Sequence, residues 1–289
     1  MPIRLSANSL IMLLAFAVLG YACQGALLKI ADIAYNNDDF SHGLLLPFIT
    51  AYLIWDRKDS IAAAAKTSSD KKEPLKFILG IILFALGTLS FLAWTLADLN
   101  FLGWLGFFLA FIGVIFLCVK NPVFSIIIGP VLLLFMAHPL PASVLPRLFN
   151  PLQATAAKAS EITLALLGVP VFVQGNIIEI PGMRLMVEEA CSGLRSVFAM
   201  TTAALIIPML FKMSWAARIF LLILALVLAV VLNIGRVVLT GVLAYFYDPA
   251  AAEGFFHEFT GMIVFIIGLV IIYSFANWVM KSEKLEGSK

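Results

Sequence analysis

The stretch VEEACSGLRS, Val187 to Ser196, sets Cys191 behind two glutamates and four residues ahead of an arginine, at the start of a long apolar run. A thiol at a helix N-terminus beside a cation has its thiolate favoured by the helix dipole and by that charge. Cys191 so placed reads as a nucleophile. Cys23 and Cys118 lie inside apolar runs and read as small packing residues; the three cysteines form neither a CxxC pair nor a disulfide framework. A second reactive position is Arg236, inside LVLAVVLNIGRVVLTGVLAY, where Asn233, Arg236 and Thr240 recur at i, i+3 and i+7 and share one helix face. That face cannot point at lipid. The arginine either holds helices together or offers a guanidinium, never deprotonated, to a carboxylate or a developing oxyanion. Spacing leaves both readings open. His42 in FSHGLLLP, His138, and His257 in GFFHEFTG all fall near the ends of apolar runs. Histidine is the usual proton shuttle near neutral pH, but spacing does not rank the three. No HxxxH or HExxH pair points to a metal. A cysteine, an arginine and a histidine on three consecutive apolar segments suit acyl transfer at a peptide bond.

The elements that must hold these residues are membrane helices. The chain has 289 residues, 62% hydrophobic and 12% charged, more apolar surface than a soluble core of that size can hide. A span needs about 20 apolar residues. Stretches near 8–30, 43–55 (short, extended from Phe40), 77–94, 101–119, 123–138, 192–211, 219–243 and 260–280 meet or approach this. The expected fold is an all-α polytopic membrane protein of about eight transmembrane helices, one membrane domain over 1–289. The first run follows Arg4 but is longer than a signal core and lacks a convincing cleavage site, so it reads as a retained span. Placing both termini in the cytoplasm puts Arg4, Arg57, Lys58, Lys76, Lys120, Lys212, Arg218 and Lys281 on the inner side, as basic residues at span ends require, and most acids outside. Residues 57–76 are then a cytoplasmic loop.

Residues 139–190 form an extracytoplasmic insertion. It holds an amphipathic helix, Leu148 to Leu167, then VPVFVQGNIIEIPGMRLMVEEA, which alternates and carries Gly-Asn and Pro-Gly turn signals of a small hairpin. Helix and hairpin are expected to lie over the membrane. A charge of +2 and the lack of a basic stripe interleaved with aromatics argue against nucleic acid as a partner.

Four blocks, DDFSHGLLLPFITAYLIWDRKD, GVPVFVQGNIIEIPGMRLMVEEACSGLRS, LNIGRVVLTG and HEFTGMIVF, resemble in sequence and order the exosortases of the exosortase/archaeosortase family, over roughly residues 35 to 280. The resemblance implies a bacterial inner-membrane cysteine transpeptidase with its active site at the extracytoplasmic face and no cofactor. Its substrates would be exported proteins ending in a PEP-CTERM signal: a Pro-Glu-Pro-type motif, a transmembrane helix and a basic cluster. The family's triad carries over to Cys191 as nucleophile, Arg236 as oxyanion or substrate partner and His257 as proton donor to the leaving amine, which ranks the histidines as spacing did not. Arg195, Asn233, Ser192, His42 and Glu189 are carried as substrate-binding or supporting residues, though Glu188 and Glu189 read more simply as solvating the loop. The acceptor, and a link to exopolysaccharide synthesis, stay open.

Other classes fit less well. A transporter would place acids at depth and pair Gly/Pro-broken spans in two halves, and neither pattern is present. Glu188-Glu189 with Arg195 is similar to the EExxxR pattern of prenyl-protein processing proteases, but the spacing is too long. A non-catalytic assembly factor would leave Cys191 incidental.

Overall fold

The computed structural model describes residues 7–36, 38–67, 73–138, 141, 144–186, 193–211, 213–247 and 254–286. They fall into two compact units, Met1–Leu140 and Pro141–Lys289.

The first unit contains α1 (Ala7–Ala22), α2 (Gln24–Asn36), α3 (Leu46–Asp56), α4 (Lys58–Thr67), α5 (Pro74–Ala97), α6 (Asn100–Cys118) and α7 (Asn121–Leu133), with short 3-10 helices at Asp38–Leu44 and Leu134–Ala137. Glycines seven residues apart, Gly80 and Gly87 on α5 and Gly106 and Gly113 on α6, bring two backbones into contact. A Cβ at Gly87 would lie 2.5 Å from the Ala110 amide nitrogen and 2.7 Å from the Gly106 carbonyl oxygen. Lipid tails give apolar helices no reason to associate, so close approach through small residues is what holds such a pair. Outward from it, Phe77, Ile78, Ile81 and Ile82 are exposed, as side chains facing hydrocarbon must be.

The second unit contains α8 (Leu145–Leu166), strands β1 (Phe172–Gln174), β2 (Ile177–Ile180) and β3 (Met183–Met186), then α9 (Gly193–Leu210), α10 (Trp215–Phe246) and α11 (Gly254–Glu286). Ser214 caps α10 by accepting the Ala217 N–H at 3.3 Å. The Ser214 N–H donates in turn to Glu283 near the end of α11, at 3.2 Å. A stripe at every fourth residue of α10, Ala217, Leu221, Ala225, Ala229, Asn233 and Val237, is buried. Its lower part packs with Met200 and Ala204 of α9 and Ile272 and Ala276 of α11. At Gly268 the three helices meet, where a Cβ would run into Met200 Cε and lie 2.9 Å from Leu232 Cδ1.

Among the described residues, four helices are long and apolar enough to cross a membrane: α5, α6, α10 and residues 259–283 of α11. A fifth span is available if α1 and α2, bent by 69° at Cys23, act as one. The expected count of eight is not reached among the described residues. The stretch at 43–55 yields only the 11-residue α3, about 17 Å of helix, started by Pro47 and stopped at the charged Asp-Arg-Lys-Asp run. The stretches at 123–138 and 192–211 give apolar helices of intermediate length, Asn121–Ala137 and Arg195–Leu210. Apolar windows count residues, whereas the helix ends where proline, charge or a bend stops it. Within 57–76, expected as a loop, Lys58–Thr67 is helical.

The expected helix and hairpin are present as α8 and β1–β2, with a third strand added. The sheet is a three-stranded meander, β1-β2-β3, because the Pro-Gly signal starts a second hairpin. Gly175 (φ +67°) opens the Gly-Asn turn at its first central position, and Gly182 (φ +85°) stands second behind Pro181; both are positions that penalise a Cβ. Gln153 and Ala156 face Ala229 and Asn233, while Leu164 faces Gly241, so α8 runs alongside α10 in the same direction. Its buried Ala156, Ala157 and Ser160 are small enough to fit the small-residue stripe of α10. Ile178 and Ile180 of β2 then pack with Leu164, Val169, Val237 and Ala244, which seats the sheet on the far end of α10.

Candidate active site

Arg236 stands on α10 between the buried Asn233 and Thr240, 5% and 3% exposed. It lies about 31 Å along the axis from Trp215 at 1.5 Å per residue, close to the thickness of a hydrocarbon core of about 30 Å. Val237 beside it is held under the sheet. Its backbone is therefore held by the packing of Val237 and by the buried Asn233 and Thr240, at the level where the sheet meets α10.

The guanidinium reaches α11 and lies against Gly261. A Cβ built there would be 2.9 Å from Cζ and from Nη2 and 3.2 Å from Nη1. All three atoms are close to one point, so the planar fork rests flat on the helix, in a seat that only glycine leaves open. His257 is four residues before Gly261 on the same helix, hence one turn away on the same face. The arginine tip and the histidine position thus meet on α11, although they belong to blocks separated by about twenty residues of sequence. The His257 side chain lies outside what is described.

Arg195 is exposed in the first turn of α9. Two residues on, Val197 packs beside Asn233, which brings the start of α9 to the level of the Asn233–Arg236 turn. Cys191, Ser192 and Glu189 lie outside the described residues. In sequence Cys191 stands two residues before Gly193, where α9 begins.

His42 belongs to the first unit. There the glycine of its Ser-His-Gly block presses on the residue before His138: a Cβ at Gly43 would lie 2.6 Å from the Ala137 carbonyl oxygen. His138, 8% exposed, stacks on Trp104 with ring centroids 6.3 Å apart and meets Phe101 edge-on at 5.9 Å. The structure therefore sets the Ser-His-Gly block against the segment that carries His138, and Arg236 against Gly261, one turn after His257.

Gly261 is the residue that sequence reasoning missed. Its signal was present in His-Glu-Phe-Thr-Gly, a glycine one helical turn after a candidate histidine, but a glycine advertises a contact only once its neighbour is known.

Neither a curated protein nor a solved structure matches the chain. Residues 34–274 match the transmembrane exosortase family, a span that takes in the Ser-His-Gly block, the sheet, the Cys191 block, Arg236 and the His257 turn. The chain belongs to the transmembrane exosortases, a family of membrane proteases and transpeptidases.

Proposed function

We propose that this chain is a cysteine transpeptidase of the bacterial inner membrane that cleaves PEP-CTERM-type sorting signals of exported proteins. Cys191 attacks the scissile carbonyl as thiolate. The Arg236 guanidinium, seated against Gly261, stabilises the oxyanion of the tetrahedral intermediate. His257 gives a proton to the departing amine. The sulfur then carries the substrate's acyl group as a thioester, and water or a cell-surface nucleophile takes it, releasing the thiol. The observation that carries this reading is the meeting of Arg236 with α11 one turn from His257. A half-buried guanidinium that only neutralised an acid would have no need of a glycine seat one turn from His257.

In this reading both termini are cytoplasmic, and the sheet and the three reacting residues face outward, where the Pro-Glu-Pro segment of an exported protein stops as its own helix docks in the bilayer. Arg195, at the start of α9, takes the substrate glutamate or the charge of the thiolate. Asn233, Ser192, His42 and Glu189 support substrate or site.

The test is co-expression with a tagged protein ending in a PEP-CTERM-type signal, followed by immunoblotting. The parent chain should yield the shortened product. Cys191→Ala, present in the membrane at the parental level, should not; undiminished processing by that variant would remove the cysteine mechanism.

A further inference from the structure

Beneath Arg236, toward the Trp215 end of α10, lies a cavity of about 20 Å³ between α8, α9 and α10. Its walls are mostly apolar, with Leu152 of α8, Val197 of α9 and Val230 of α10 among them. Two carboxamides interrupt them, Gln153 from α8 and Asn233 from α10. Gln153 Oε1 and Asn233 Oδ1 are both buried, and neither finds a hydrogen-bond donor among the described residues. Asn233 is only 5% exposed. Buried carbonyl oxygens in a low-dielectric site are strongly driven to find a donor. The volume admits one water, for which about 10–15 Å³ is the lower bound, and is too small for a side chain.

We propose that this cavity is a binding site for a single structural water, which donates one O–H to Gln153 Oε1 and the other to Asn233 Oδ1. The match is chemical as well as steric: two acceptors on two helices, and one small molecule with two donors. The bridge locks α8 to α10 one turn below Arg236. Because Asn233 and Arg236 share a face at i, i+3 spacing, it sets the rotation of α10 about its axis and so aims the guanidinium at Gly261. Gln153 is thereby a positioning residue, which touches no reacting atom and acts through water and Asn233. This last step rests on the reading of Arg236 given above; the water site does not.

The experiment is a double-mutant cycle on the full-length protein purified in detergent, comparing the parent, Gln153→Leu, Asn233→Leu and the double variant. Thermal midpoint is one readout, and kcat and KM for a PEP-CTERM-type peptide substrate are the other. Each single change orphans the opposite carboxamide and should lower the midpoint. The double change orphans nothing and leaves the cavity wholly apolar, so it should return most of the loss. Its kcat should nevertheless stay about tenfold below the parent with KM little changed, since the polar lock on the arginine is gone. Midpoint losses that simply add, or single changes without effect, would overturn the water site. A kcat restored along with the midpoint would overturn the positioning role. If the midpoints behave as expected and even the parent fails to process the substrate, the functional reading fails and the water site stands.

Discussion

Gly261→Ala isolates the arginine seat from the stability of the fold. The added Cβ would sit 2.9 Å from Arg236 Cζ and Nη2, whereas ordinary contact begins near 3.4 Å. The guanidinium must therefore recede by about 0.5 Å, the difference between those two distances. It can, because it is the far end of a flexible side chain, so the helices need not part. Alanine in place of glycine inside a helix gains roughly 0.5–1 kcal/mol of backbone propensity, so membrane abundance should hold or rise. Catalysis should not hold, since misplacing a catalytic group by about 1 Å costs up to a hundredfold. Half that displacement puts the loss near tenfold, or about 1.4 kcal/mol of barrier. The assay is the initial rate of signal cleavage, normalised to the amount of protein in the membrane. In an Arg236→Ala background, the same glycine change should cost nothing more, because the group it displaces is gone. Parental rates for Gly261→Ala at normal abundance would refute the claim that the guanidinium works from this seat.

Arg236→Lys keeps a positive charge but loses the planar fork, so a loss of roughly 10²–10³ in normalised cleavage rate is expected. His257→Gln removes the proposed proton donor and should slow cleavage by roughly 10²–10⁴, with substrate still co-purifying with the enzyme. Gly87→Val acts on folding instead: its Cβ would meet the Ala110 nitrogen at 2.5 Å, a backbone contact that cannot yield as a side chain can. It should destabilise the α5–α6 pair by roughly 1–3 kcal/mol. An immunoblot of the membrane fraction should show less protein, and the cleavage rate per molecule should be unchanged.

What could be read from sequence is what local rules decide. The i, i+3, i+7 spacing of Asn233, Arg236 and Thr240 on an apolar helix was enough to give them an inward face, because lipid admits no alternative. Gly175 and Gly182 marked turns, because positive φ selects glycine. The bend at Cys23 has no proline to announce it. The direction of α8 depends on which small-residue stripe it meets, and a hydropathy window does not encode that. The third strand, Met183–Met186, belongs to the same alternating stretch as the other two, and alternation with two turn signals does not say whether the chain closes one hairpin or two. The seat at Gly261 and the Gln153–Asn233 pair join residues far apart in the chain, and each half is unremarkable until the other is placed beside it.

In the mechanism proposed above, Cys191 forms a thioester with the substrate, assisted by Arg236 and His257. Its most direct test is to incubate purified enzyme with a tagged PEP-CTERM-type substrate, quench in acid, and look for the tag on the enzyme band by denaturing, non-reducing electrophoresis. A thioester at Cys191 should give a tagged enzyme band that neutral hydroxylamine discharges and that Cys191→Ala lacks. Cleavage by Cys191→Ala at the parental rate, or a tagged band that hydroxylamine does not discharge, would contradict it.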